Sequence, residues 1–241
     1  VRAALEAGIT LYDTADTYGS PPGASEQLLG EALKGERDNV VVATKFGMDM
    51  DGTNGPDWGA RGSRRYIYRA VEASLRRLDT DWIDLYQLHE PDHATPIEET
   101  LSALTDLVTA GKVRYIGCSN FAGWRLTDAS WTTTTSGLAG FISVQNEYSL
   151  LTREIEAEVV PTCERFGLGV LPYFPLARGL LKSRVPVQQG TAIVHGDVHD
   201  DFLQERPQEI LPVAVAGGGG DPYSFQIAPQ SHDQIPLFWT Q

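Results

Sequence analysis

Six short apolar runs recur along the chain: "TLYDTAD" (10–16), "VVVATKF" (40–46), "IDLYQLH" (83–89), "YIGCSN" (115–120), "ISVQNEY" (142–148) and "GVLPYFPL" (169–176). Most are apolar throughout rather than alternating, as strands covered on both faces should be. Between them the spacing becomes helical. Residues 63–79 put Ile67, Val71, Leu75 and Leu78 on one stripe. "TPIEETLSALTDLVTAGK" predicts a helix with Thr95 as N-cap, Pro96 at its first position and Glu98 completing a capping box. Its inward face would be Leu101, Leu104, Leu107 and Val108, and Gly111 would stop it. Thr152 would start a further helix with Ile155, Val159, Cys163 and Phe166 as its stripe and Gly167 as its end. Residues 124–138 read as a poorer helix, because "TTTT" is β-branched.

Strand and helix alternate six times, which predicts a parallel sheet with right-handed crossovers. An open doubly wound sheet and an eight-stranded barrel both satisfy that order. No G-x-G-x-x-G follows the first strand, which counts against a dinucleotide-binding doubly wound sheet and favours the barrel. The expected fold class is therefore α/β, of the (β/α)8 TIM-barrel type, incomplete, with about six βα units recognisable. From about Lys182 the periodicity fails. The chain divides into a barrel portion, 1–181, and an atypical Pro- and Gly-rich segment, 182–241, read as disordered or foreign to the barrel. Two apolar runs there, "TAIV" (191–194) and "ILPVAVA" (210–216), are candidate strands, and its four-glycine run reads as a linker. The opening "VRAALEAG" resembles the tail of a helix, and a fragment is expected.

Composition narrows the partners. The 241 residues carry a formal charge of −13. That acidity argues against nucleic acid or an anionic membrane as the main partner. There is no apolar run long enough for a membrane-spanning helix. The two cysteines, Cys118 and Cys163, lie far apart without zinc-type spacing, so no metal site is expected and a reducing cytoplasm fits.

The candidate chemistry lies at the strand ends. Asp13 closes the first run, Lys45 the second, His89 the third, and Ser119 and Asn120 the fourth; Gln145 lies towards the end of the fifth and Tyr173 in the sixth. In an α/β barrel these ends share one rim, where active sites are built. A free phenol is a weak acid, and a neighbouring lysine cation favours its phenolate. An aspartate would supply that lysine's counter-charge, and a histidine could orient a carbonyl oxygen by hydrogen bonding. Asp13, Tyr18, Lys45 and His89 together would make a general acid for a carbonyl becoming an alcohol. The hydride must then come from a cofactor, since no side chain supplies one. Ser119, Asn120 and Gln145 offer partners for a nicotinamide carboxamide, and Tyr173 offers a flat face for its ring. Trp58, Trp124 and Phe174 are candidates for a substrate pocket. Asp16 reads as a turn or rim residue, and Glu26 either reaches the adenosine side of a cofactor or supports its helix start. "HGDVHDD" (195–201) has ligand residue types but reads as tail, and Cys118 as a buried strand residue.

At these residues the sequence resembles the aldo-keto reductase superfamily, and within it bacterial members related to potassium-channel β-subunits. The resemblance rests on "DTADTYG…SEQLLGEAL" (13–33), "VVVATKFG" (40–47), "YQLHEPD" (86–92), "AGKVRYIGCSNF" (110–121), "SVQNEYSLL" (143–151) and "PYFPLARGLL" (172–181), in that order. It implies a barrel that reduces aldehydes or ketones with NADPH. By position it implies Asp13, Tyr18, Lys45 and His89 as the catalytic tetrad, with Tyr18 the acid. Ser119, Asn120, Gln145 and Tyr173 would be nicotinamide contacts, and Pro175, Leu176, Arg178 and Gly179 would pass the pyrophosphate. The family's first barrel strand has no counterpart here, and after Leu181 its usual continuation and cofactor loop are not recognisable. Two further readings stay open: a non-catalytic, cofactor-binding regulatory subunit, and an inactive truncated reductase. The expected partner is a small carbonyl compound.

Overall fold

The computed structural model describes residues 1–181, together with a two-residue antiparallel pairing of β7 (Gln226–Ile227) with β8 (Leu237–Phe238). The expectations for 191–194, 195–201 and 210–216, and for the character of the 182–241 segment, lie outside the described residues.

Six strands, β1 (Leu11–Asp13), β2 (Val41–Phe46), β3 (Ile83–Leu88), β4 (Val113–Ser119), β5 (Phe141–Glu147) and β6 (Gly169–Tyr173), pair in chain order, every pair parallel. After the short α1 (Arg2–Glu6), the helices α2 (Ala24–Ala32), α3 (Arg64–Leu78), α4 (Ile97–Thr109), α5 (Gly123–Ser136) and α6 (Val159–Phe166) each follow one strand. The sheet is curled. Asp13 of β1 accepts a hydrogen bond from Gln145 of β5 at 3.3 Å, whereas four flat strand spacings would separate them by roughly 19 Å. This is the half-barrel that the strand spacing predicts.

Alternation along each strand sorts residues between two layers. Tyr12, Val42, Phe46, Tyr86, Leu88 and Val144 face outward, into the large core shared with the helices. Leu11, Ala43 and Leu85 form a smaller inner cluster, with Val41, Ile142 and Leu171 packed against it. Two residues further along the same inner face come Asp13, Lys45 and Gln87. The polar site thus stands directly on the inner apolar layer.

Local chemistry explains where helices begin and end. Ser63 caps α3 by accepting from the Tyr66 amide, and Asp79 closes it in the left-handed region. In α5 the threonines that weaken helix propensity donate back to carbonyls one turn earlier, Thr133 and Thr134 to Ser130 and Thr135 to Trp131. At α4 the expected cap is displaced by one residue. Pro96, not Thr95, is the N-cap, and no side chain caps it. The Thr95 hydroxyl is drawn to Asp92, and the neighbouring Glu99 serves α3 instead, accepting from the Arg64 amide. The helix expected from Thr152 is delayed: Ser149 accepts from the amides of Leu151 and Thr152, and a 3₁₀ turn (Glu154–Ala157) precedes α6. Gly30 lets α2 lie on α3, since a Cβ there would sit 2.4 Å from the Leu78 carbonyl oxygen.

Candidate active site

Four expected residues converge at the C-terminal rim. Lys45 is fully buried, and its Nζ donates to Asp13 Oδ2 at 2.5 Å and to the Thr14 carbonyl at 2.8 Å. The Tyr18 ring lies 5.3 Å from that ammonium, centroid to nitrogen, and meets the His89 ring edge-on at 5.6 Å. Burial, reinforced by the Lys45 cation, pushes the His89 pKa down to about 3. At neutral pH it is therefore an uncharged imidazole, with one ring N–H to donate and one lone pair. Its Nδ1 is buried without a partner among the described residues.

Tyr18 sits on the loop joining β1 to α2, and that loop is tied down at both ends. The Thr14 and Asp16 amides continue the ladder onto the Ala43 and Lys45 carbonyls, and the Ser25 amide bonds to the Tyr18 carbonyl. Gly19 makes the turn after Tyr18 at φ +100°, where a Cβ would come 2.8 Å from that of Ala24.

The second expected group is joined to the first. Ser119 Oγ donates to the Gln145 carbonyl, and the Asn120 side-chain amide donates to the His89 carbonyl and to Ser119 Oγ. Asn120 Oδ1 accepts from the Tyr173 hydroxyl at 2.9 Å, which fixes that ring at the edge of the rim. Gln145 turns its amide towards Asp13. Beyond Tyr173 the chain makes a tight turn with Phe174, Ala177 and Arg178 all at positive φ. The Arg178 guanidinium covers the Phe174 ring at 4.6 Å, Phe174 meets Tyr173 edge-on, and the Gly179 amide bonds to the Leu176 carbonyl. Pro175 and Leu176 are exposed on this turn.

The expected pocket aromatics are not gathered. Trp58 lies over Arg65 and Arg69 on the flank of α3 and is 56% exposed. Trp124 stacks under Arg125 at the start of α5, beside a groove that also touches Leu88 and Phe121. Phe174 meets two expected site residues, Tyr173 and Arg178.

Asp16 lies in the turn after β1, as expected, but its side chain points away from the open rim. It is fully buried, with Oδ2 accepting from Asn54 and Oδ1 unpartnered among the described residues. Glu26, also fully buried, accepts from Thr44 and from Arg77, both at 2.6 Å. Arg77 also donates to Asn54. Glu26 is thus committed beneath the loop that carries Tyr18. Burial, then the Glu26 charge, pushes the Asp16 carboxyl well above its usual range, and Arg77 and Asn54 only partly offset this. An acid raised in this way costs stability as pH climbs from its unfolded to its folded pKa. Asp16→Asn, which stays neutral, should match wild type near pH 4 and melt roughly 2–8 °C higher at pH 8. Equal melting points at both pH values would contradict this. Gln87, which sequence reasoning passed over, is fully buried and donates to Asp13 at 3.1 Å. Its signal was a lone amide within the apolar "IDLYQLH".

Residues 1–194 match the model of the family described as "Aldo/keto reductase family". The chain is 42% identical over 189 residues to "Probable aldo-keto reductase 1" of Glycine max, an alignment covering 78% of this chain and 52% of that protein. It is 37% identical over 270 residues to "Aldo-keto reductase dtxS3" of Metarhizium robertsii, covering 99% of this chain and 69% of that protein. The chain spans about half the length of the soybean relative. Family match, relatives and half-barrel agree, and the chain belongs to the aldo/keto reductase family.

Proposed function

We propose that the protein reduces an aldehyde or ketone to an alcohol with NADPH, with Tyr18 as the proton donor. The observation that carries this reading is the convergence of Tyr18, His89 and the buried Lys45–Asp13 pair on one rim. A carbonyl carbon that gains hydride leaves its oxygen needing a proton. Tyr18 gives its hydroxyl proton to that oxygen, and the nearby Lys45 cation stabilises the phenolate left behind. Asp13 pairs with the Lys45 ammonium and fixes it beside the Tyr18 ring. Neutral His89 donates a hydrogen bond that orients the carbonyl.

Bound NADPH supplies the hydride. The described residues suit its nicotinamide end: Tyr173 offers a ring fixed by its hydroxyl, with Ser119, Asn120 and Gln145 clustered beside it. Arg178 and the turn through Pro175, Leu176 and Gly179 would carry the pyrophosphate. Phe174, which meets Tyr173 edge-on, would line the substrate side of the rim. No helix among the described residues is long and apolar enough to cross a membrane. Both cysteines are free and buried, which accords with the proposed cytoplasmic location.

Tryptophan fluorescence titrated with NADPH, followed by turnover of 4-nitrobenzaldehyde, tests the proposal. Quenching together with consumption of NADPH supports it. Saturable quenching without turnover would replace it with a regulatory, cofactor-binding role, and absence of both would overturn the cofactor assignment.

A further inference from the structure

Gln87 is a fully buried amide in a strand whose inward neighbour two residues earlier is Leu85. Its Nε2 donates to Asp13 Oδ1, while its Oε1 is buried with no partner among the described residues. The orientation is dictated: a carboxylate oxygen only accepts, so the amide nitrogen must face it. A buried carbonyl oxygen left unpaired is a standing cost that a leucine or methionine would avoid. The neighbouring strand also makes room for it. Gly117 is its register partner on β4, and a Cβ there would sit 3.2 Å from Gln87 Cγ and 2.9 Å from Ser143 Oγ.

We propose that Gln87 is a positioning residue for the acid at this rim, acting through Asp13, an inference that rests on the reductase reading above. Asp13 has two faces. Oδ2 meets the Lys45 ammonium, and Oδ1 receives two neutral donors, Gln87 at 3.1 Å and Gln145 at 3.3 Å. Asp13, Gln87 and Gln145 come from β1, β3 and β5, alternate strands forming one layer across the half-barrel. Two amide donors on Oδ1 bind the carboxylate without adding charge and draw its density away from Lys45. More of the lysine's field is then left for the phenol. Among the described residues, the titratable groups near Tyr18 are Asp13 on β1, Lys45 on β2, His89 just after β3 and Tyr173 on β6.

Two variants and one background separate this from packing. Gln87→Met keeps the volume and loses the donor; Gln87→Asn keeps the amide but withdraws it from reach. The alkaline ultraviolet titration of each, minus that of the matching Tyr18→Phe protein, reads Tyr18 whether or not any substrate turns over. In both variants that component should move to higher pH, and it should stay put when Gln87→Met is added to Asp13→Asn. Turnover of 4-nitrobenzaldehyde should fall ~3–10-fold in kcat, with KM within about twofold. A Tyr18 component unmoved in either folded variant, whatever the melting temperature does, would overturn the proposal. A shifted component in a protein that turns over no carbonyl would sink the reductase reading and leave the coupling intact.

Discussion

Tyr18→Phe is expected to lower kcat for carbonyl reduction by about 10²–10⁴, the range typical of losing a positioned acid. NADPH affinity should stay within about twofold and the melting temperature should be unchanged. The substitution removes one oxygen and keeps the ring, so the edge contact with His89 and the approach to Lys45 survive. The neighbours offer poor substitutes. Burial and the Lys45 cation push the His89 pKa down to about 3, which leaves the imidazole neutral and a poor acid at neutral pH. Lys45 already gives two of its three hydrogens to Asp13 and to the Thr14 carbonyl. Steady-state rates across pH, set beside a fluorescence titration of NADPH, measure both quantities. Retention of more than about a tenth of wild-type kcat would place the acid elsewhere.

The proposed tetrad was legible because parallel strands buried on both faces read as apolar runs, and a polar residue closing such a run stands out. Asp13, Lys45 and His89 announced themselves in that way, and Tyr18 followed from the offset after Asp13. What stayed hidden was pairing at a distance. Asp16 looks like loop because carboxylates usually are loop, and nothing local reveals the amide of Asn54 beneath it. Glu26 meets Arg77 across 51 residues, a contact that only the packing of α2 on α3 creates. For Trp58 the place after β2 left pocket and surface packing both open, and the two arginines of α3 that cover its ring are not legible locally. Gln87 sat in plain view, yet a single amide in a strand has no meaning until β1 and β5 curl round to meet it. Local pattern carried the strands and their ends. The cross-barrel polar layer needed the curl, and the curl is a property of all six strands together rather than of any one segment.

Arg77→Met should be the most damaging change to stability, at about 3–5 kcal/mol, the cost of stranding a buried carboxylate. Glu26 is fully buried and has its guanidinium partner 2.6 Å away, while Thr44 takes its other oxygen. Asp16, equally buried, also depends on that cation and on the Asn54 that Arg77 orients. Methionine would keep much of the apolar stem that packs under Gly23, where a Cβ would come 2.5 Å from Arg77 Cδ. The loss would therefore report charge rather than volume. Two results would identify it as such in thermal or urea unfolding. The deficit should shrink as pH falls, because protonated carboxyls no longer need the cation. Adding Glu26→Gln should restore part of the stability, since a neutral amide is cheaper to leave unpaired than a carboxylate. The Tyr18 loop hangs on this box through Asp16, so kcat per folded molecule should fall as well, with KM less affected. A deficit below about 1 kcal/mol, the value of an exposed ion pair, would mean that water reaches Glu26 in solution and that the loop is held by its backbone bonds alone.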